Sequence, residues 1–110
     1  MEYAVITGAA SGMGKTYANS LASKGFGLCL IDINEKGLAE VERELQELLG
    51  TQCPRIIRLA QNLAEPEAAR KVAEQVKGLK VKILINNAGM IFTCSIEETP
   101  YARLSSMMML

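Results

Sequence analysis

Thr7-Gly8-Ala9-Ala10-Ser11-Gly12-Met13-Gly14 decides how this 110-residue chain folds. Before it, Tyr3–Thr7 is a short apolar run with β character. After it, Met13, Tyr17 and Leu21 recur every fourth residue with Ala18 and Ala22 beside them, a helix from Gly12 to Lys24 closed by Gly25. Three glycines in an ordinary turn could be there for packing alone. Between a strand and a helix they have a more specific use: Gly8 permits a tight turn, Gly12 lets backbone approach a pyrophosphate, and Gly14 lets helix and strand pack closely. The helix N-terminus then offers free N–H groups and a positive dipole end to phosphate.

Outward from this loop the apolar period keeps switching. Gly27–Asp32 contains a continuously apolar Leu-Cys-Leu-Ile, as in strands covered on both faces. Glu35–Leu49 is a helix with Leu38, Val41, Leu45 and Leu48 in one stripe and Gly50 where a C′ glycine belongs. Arg55–Ala60 is a third strand. Pro66 fits the first turn of a helix that buries Ala69, Val72, Ala73 and Val76 and ends near Gly78. Lys82–Ile85 is a fourth strand running into Asn86-Asn87-Ala88-Gly89. Thr99-Pro100 opens a last helix, still running at Leu110. The order β-α-β-α-β-α-β-α predicts an α/β fold, with right-handed crossovers over a parallel sheet. One domain spans residues 1–110, and its end in mid-helix implies an incomplete one.

Composition narrows the function. Hydrophobic residues make up 49% and charged residues 22%, with a formal net charge of zero. That balance gives no electrostatic reason to expect nucleic acid or an anionic membrane as partner. Histidine is absent, and Cys29, Cys53 and Cys94 lack C-x-x-C spacing, so the expectation is reduced thiols without a metal site or disulfide framework. No apolar run approaches the ~18 residues of a membrane span. Tyr3–Thr7 follows Met1 too closely for a leader peptide, so the cytosol is expected.

Asp32 ends the second strand, about 20 residues beyond the glycine loop, where a carboxylate can accept both hydroxyls of an adenosine ribose. An Asp there can also cap the next turn, although Asn34 is available to cap the following helix. A P-loop NTPase is the rival reading, since Gly14-Lys15-Thr16 resembles a P-loop tail and Leu28–Asp32 a Walker B strand. That pattern needs its first glycine where Ala9 stands, so the phosphate nest would be mis-sized.

Combined with T-G-x-x-x-G-x-G, Asn86-Asn87-Ala88-Gly89 resembles the short-chain dehydrogenase/reductase family, over essentially all 110 residues. The resemblance implies a three-layer Rossmann-type sheet of strand order 3-2-1-4, truncated after the fourth strand and the start of the next helix. It implies that Gly8, Ser11, Gly12, Met13 and Gly14 bind cofactor phosphates and that Asp32 and Ile33 select the cofactor. Asn62, where the family usually has Asp, and Leu63 would hold adenine, and Asn87, Ala88 and Gly89 would line the cofactor site. NAD(H) is preferred over NADP(H), because neither Ser11 nor Ile33 supplies a cation for a 2′-phosphate.

In that family a Ser and a Tyr-x-x-x-Lys pair handle the proton while hydride passes to or from nicotinamide. Tyr3, Tyr17 and Tyr101 all lack a Lys four positions later, so the catalytic set is expected beyond Leu110. The function implied is an NAD(P)(H)-dependent oxidoreductase interconverting an alcohol and a ketone, a homo-oligomer at full length. This chain would be its cofactor-binding part and inactive by itself. The alternative is a non-catalytic dinucleotide-binding fragment or sensor. Tyr3–Gly8, Gly14–Ala18 and Asn87–Met90 look most like the branch of 3-oxoacyl-CoA and 17β-hydroxysteroid reductases. That branch has a basic residue near Asp32 and begins with a membrane anchor, and neither is found here. Ending at Leu110 would leave Lys82–Ile85 as an unpaired apolar edge open to self-association.

Overall fold

The computed structural model describes residues 1–86 and the strand 90–93, the latter by its backbone. In chain order the elements are β1 (Glu2–Thr7), α1 (Gly12–Ser23), β2 (Gly27–Asp32), α2 (Glu35–Leu49), β3 (Ile56–Ala60), α3 (Ala68–Gln75), β4 (Lys80–Asn86) and β5 (Met90–Thr93). The sheet order is β3-β2-β1-β4-β5. The first four strands are parallel, with β1 between β2 and β4, so the 3-2-1-4 order is as expected.

Period-2 alternation sorts the strand residues between two cores. Ala4, Ile6, Leu28 and Leu30 pack beneath Ala18, Leu21 and Ala22 of α1 and Leu38, Val41 and Leu45 of α2. Val5, Cys29, Ile31 and Leu84 pack on the other face against Ala69, Val72, Ala73 and Val76 around α3. The result is the three-layer arrangement, with both faces of β1 and β2 buried. The α3 start is corrected: Pro66 lies outside the helix, in a run of turns where the Ala68 N–H donates to the Glu65 carbonyl (3.2 Å).

The fourth strand is also corrected. It runs from Lys80 to Asn86, and it is not an edge: Met90–Thr93 pairs antiparallel with it, Ile83 opposite Thr93 and Asn86 opposite Met90. A parallel return would need a crossover of a dozen or more residues, roughly. A strand beginning so soon after Asn86 can only come back antiparallel. Met-Ile-Phe-Thr has β-favouring residues but is too short to display a period. The self-association inferred from a bare fourth strand therefore loses its basis. Asn87, Ala88, Gly89, Cys94 and the helix expected from Thr99-Pro100 lie outside the described residues.

Candidate cofactor site

Parallel strands deliver the β1–α1, β2–α2 and β3–α3 connections to one edge of the sheet. Because β2 and β4 leave β1 in opposite directions, a crevice opens there, the usual ligand position in such sheets. Backbone bonds hold the three connections together. Ala9 N–H donates to the Ile31 carbonyl (3.1 Å), and Gln61 N–H donates to the Asp32 carbonyl (3.0 Å).

The glycine loop is built as its residues require. Gly8 has φ +62°, a left-handed conformation unfavourable for residues with a Cβ. Ser11 caps α1: its hydroxyl donates to the Gly8 carbonyl (2.7 Å) and accepts from the Gly14 N–H (3.2 Å). Gly14 has no room for a side chain, since a Cβ there would run into the Gly8 carbonyl oxygen and lie 2.7 Å from the Ala9 Cα. Gly12 is the opposite case, with nothing within 4 Å of a notional Cβ. Among the described residues, neither the Gly12 nor the Met13 N–H has a protein acceptor. Two first-turn donors without a protein acceptor thus lie at the positive end of α1, a cradle suited to a diphosphate.

Asp32 combines the two roles left open by its position. One carboxylate oxygen accepts from the Ala10 N–H (3.0 Å) and the other from the Asn34 N–H (3.0 Å). Asn34 caps α2, its Oδ1 accepting from the Gly37 N–H (3.0 Å). An ionised carboxylate has about four acceptor sites. Two backbone donors fix the group and leave capacity for two more hydrogen bonds, which suits a vicinal diol.

Beside Asp32 is a cleft of about 250 Å³ bordered by Gly8, Ile31, Ile33, Gln61, Asn62 and Leu63. Ile33 is 68% exposed at its mouth, an apolar surface for a flat ring. The Asn62 Oδ1 accepts from the Ala64 N–H (3.0 Å), and its amide nitrogen remains the polar group's donor end. The structure thus brings Gly8, Ser11, Gly12, Met13, Gly14, Asp32, Ile33, Asn62 and Leu63 to one crevice. Asn87, Ala88 and Gly89 lie outside the described residues.

Sequence reasoning missed contacts that four residues make, although it named Asn34 as a helix cap and Thr7 as the start of the glycine motif. Ala10 and Asn34 act through backbone N–H groups, which no side-chain pattern marks. Gly37 was read only as part of a helix. The Thr7 hydroxyl reaches the Ile85 carbonyl and the Asn86 Oδ1 (3.3 Å each), tying the end of β1 to that of β4 in a buried setting. Both are polar residues closing apolar strands, the one signal that could have paired them.

The P-loop reading finds no support in Lys15 or Thr16. Lys15 Nζ lies 3.9 Å from the Glu44 carboxylate on α2, and the Thr16 hydroxyl donates back to the Gly12 carbonyl (3.0 Å). Burial pushes the Cys29 thiol from its ordinary 9.0 up to about 12. Among the described residues no group of three or more Cys, Asp or Glu could hold a metal ion. No helix among them is long and apolar enough to cross a membrane.

A glycine turn opening a helix, with a braced carboxylate at the end of the next strand, defines a class of nucleotide-crevice α/β domains. The family model described as short chain dehydrogenase matches residues 2–110, and the chain belongs to that family. It is 36% identical over 87 residues to the very-long-chain 3-oxoacyl-CoA reductase of Pyricularia oryzae, covering 79% of this chain and 26% of that protein. Among solved structures it is similar to L-sorbose reductase from Gluconobacter frateurii complexed with NADPH and L-sorbose. That match has a TM-score of 0.70 and 32% identity, over 94% of this chain and 39% of the other. A putative D-mannonate oxidoreductase from Haemophilus influenza with bound NAD matches with a TM-score of 0.66 and 26% identity, over 81% and 31%. The chain spans about a quarter of the length of the curated relative.

Proposed function

We propose that this chain is the dinucleotide-binding part of an NAD(P)(H)-dependent oxidoreductase that interconverts an alcohol and a ketone, with NAD(H) the preferred cofactor. One observation carries the reading: Asp32, held by two backbone N–H groups, stands beside a helix N-terminus whose Gly12 and Met13 N–H groups have no protein acceptor among the described residues. In this reading Gly8, Ser11, Gly12, Met13 and Gly14 form the diphosphate cradle. Asp32 accepts the adenosine ribose hydroxyls, and Ile33, Asn62 and Leu63 flank the adenine. By family resemblance Asn87, Ala88 and Gly89 would line the cofactor site, and the cofactor, when bound, would supply hydride transfer.

The cofactor preference rests on charge. Hydrogen bonds to a carboxylate contribute about 1.5–3 kcal/mol each, and a 2′-phosphate would lose one and face like-charge repulsion. Ile33 offers it no cation. The curated relative's name points to a 3-oxoacyl thioester as one member of the ketone class. Calorimetric titration of the chain with NADH, NADPH and Mg²⁺-ATP tests the reading. NADH is expected to bind most tightly. Tighter NADPH would overturn the preference, and Mg²⁺-ATP binding without either dinucleotide would overturn the class.

A second reading is a dinucleotide-binding module without catalysis of its own. The two readings separate on turnover of secondary alcohols, which only the first expects from a protein that adds a positioned Tyr-Lys pair.

A further inference from the structure

Gly37 is out of place by local preference. It is the third residue of α2, where glycine is less favourable than alanine. It has no positive φ to justify it. The reason lies across the crevice: a Cβ on Gly37 would stand 2.8 Å from the Ala10 Cβ and 2.7 Å from the Asn34 amide nitrogen. The Asn34 contact is with the far end of a side chain that can turn aside. Ala10 cannot, because its Cβ is fixed to the backbone of the glycine loop.

These contacts close a ring of four residues. Gly37 abuts Ala10, Ala10 N–H holds one oxygen of Asp32, Asn34 N–H holds the other, and the Asn34 side chain caps Gly37. The separation between α2 and the glycine loop therefore sets where the Asp32 carboxylate stands. We infer that Gly37 is a positioning residue for cofactor discrimination, allowing α2 close enough to seat Ala10 and thereby fix Asp32 against the ribose diol. This inference rests on the dinucleotide reading above and goes beyond it in assigning selectivity to a residue that touches no cofactor.

Gly37→Ala pushes Ala10 away from α2 and loosens its bond to Asp32. Weakening one hydrogen bond to a charged group lowers NADH affinity about tenfold. NADPH, which keeps one fewer hydrogen bond to Asp32 and gains relief from its repulsion when the carboxylate shifts, changes affinity by less than about twofold. The NADH-to-NADPH ratio, read by titration of the chain, is the informative quantity, because general damage to the fold would weaken both. Ala10→Gly in the Gly37→Ala background removes the opposing Cβ and restores the ratio. Asn34→Ser in that background keeps a cap, relieves only the other contact, and leaves the ratio low. Ala10→Val crowds the same gap from the loop side and lowers the ratio, which keeps the inference testable should Gly37→Ala not fold. An unchanged ratio in Gly37→Ala, or no recovery with Ala10→Gly, overturns this inference alone. A parent chain that binds neither dinucleotide overturns the cofactor reading and this inference with it.

Discussion

Gly14→Ala adds one methyl group to the tightest point of the glycine loop. The new Cβ would meet the Gly8 carbonyl oxygen, the Ala9 Cα at 2.7 Å and the Ala9 carbonyl carbon at 3.0 Å, all backbone. Ordinary contact begins near 3.4 Å, so loop and helix must separate by several tenths of an ångström. Neither is free to go. Ala9 is fully buried and bonded to the Ile31 carbonyl, while α1 presses Ala18, Leu21 and Ala22 into the core. Overpacking costs roughly 1–3 kcal/mol, and a clash with three unyielding backbone atoms puts this site at about 2–3, of which the better helix propensity of alanine returns about 1. A net loss of about 1–2 kcal/mol follows, against a total stability of roughly 5–15 for a domain. At roughly 4–8 °C per kcal/mol, the midpoint of thermal unfolding should fall by about 5–15 °C. Circular dichroism melting, paired with urea denaturation, measures it. A Gly14→Ala chain as stable as its parent would refute the close-approach role of Gly14 and the inferred geometry of the loop.

Gly12→Val should do the reverse: with nothing within 4 Å of its Cβ, the fold is kept, while NADH affinity drops by at least about tenfold because the branched side chain occupies the phosphate approach. Unimpaired NADH binding by a folded Gly12→Val chain would remove the cradle assignment. Thr7→Val deletes a buried hydroxyl that links β1 to β4 and should cost about 1–3 kcal/mol in urea unfolding, whereas a surface-like change under about 0.5 would count against that link. Cys29 keeps its proton in the folded chain up to about pH 12, while the unfolded thiol ionises near 9.0. Its contribution is therefore intact below pH 9 and lost as pH rises from there, by about 1.4 kcal/mol per unit at most. Cys29→Val should be less sensitive to alkali over that window, and identical pH profiles would discount the buried thiol.

Whereas the strand order came from the family resemblance, the alternation of apolar periods was enough to read the first four strands and the helices between them. These features are local, since a face that must be buried leaves its period in the chain. The glycine turn and Asp32 were legible for a related reason: backbone close to phosphate and a carboxylate near a diol each demand a residue type at a set distance along the sequence. What the sequence did not yield depends on groups brought together from distant positions or carried by the backbone. Met90–Thr93 was missed because four residues hold no readable period, and its place was decided by the vacant flank of β4. Asp32 had two competing uses on paper, and the fold satisfies both because Ala10 and Asn34 N–H groups occupy only half of its acceptor capacity. Gly37 looked like an ordinary flaw in a good helix until the packing put Ala10 against it. Burial patterns and turn chemistry are written along the chain, but the distance between α2 and the glycine loop is set by a sheet that packs both elements against one core, and that is a property of tertiary structure alone.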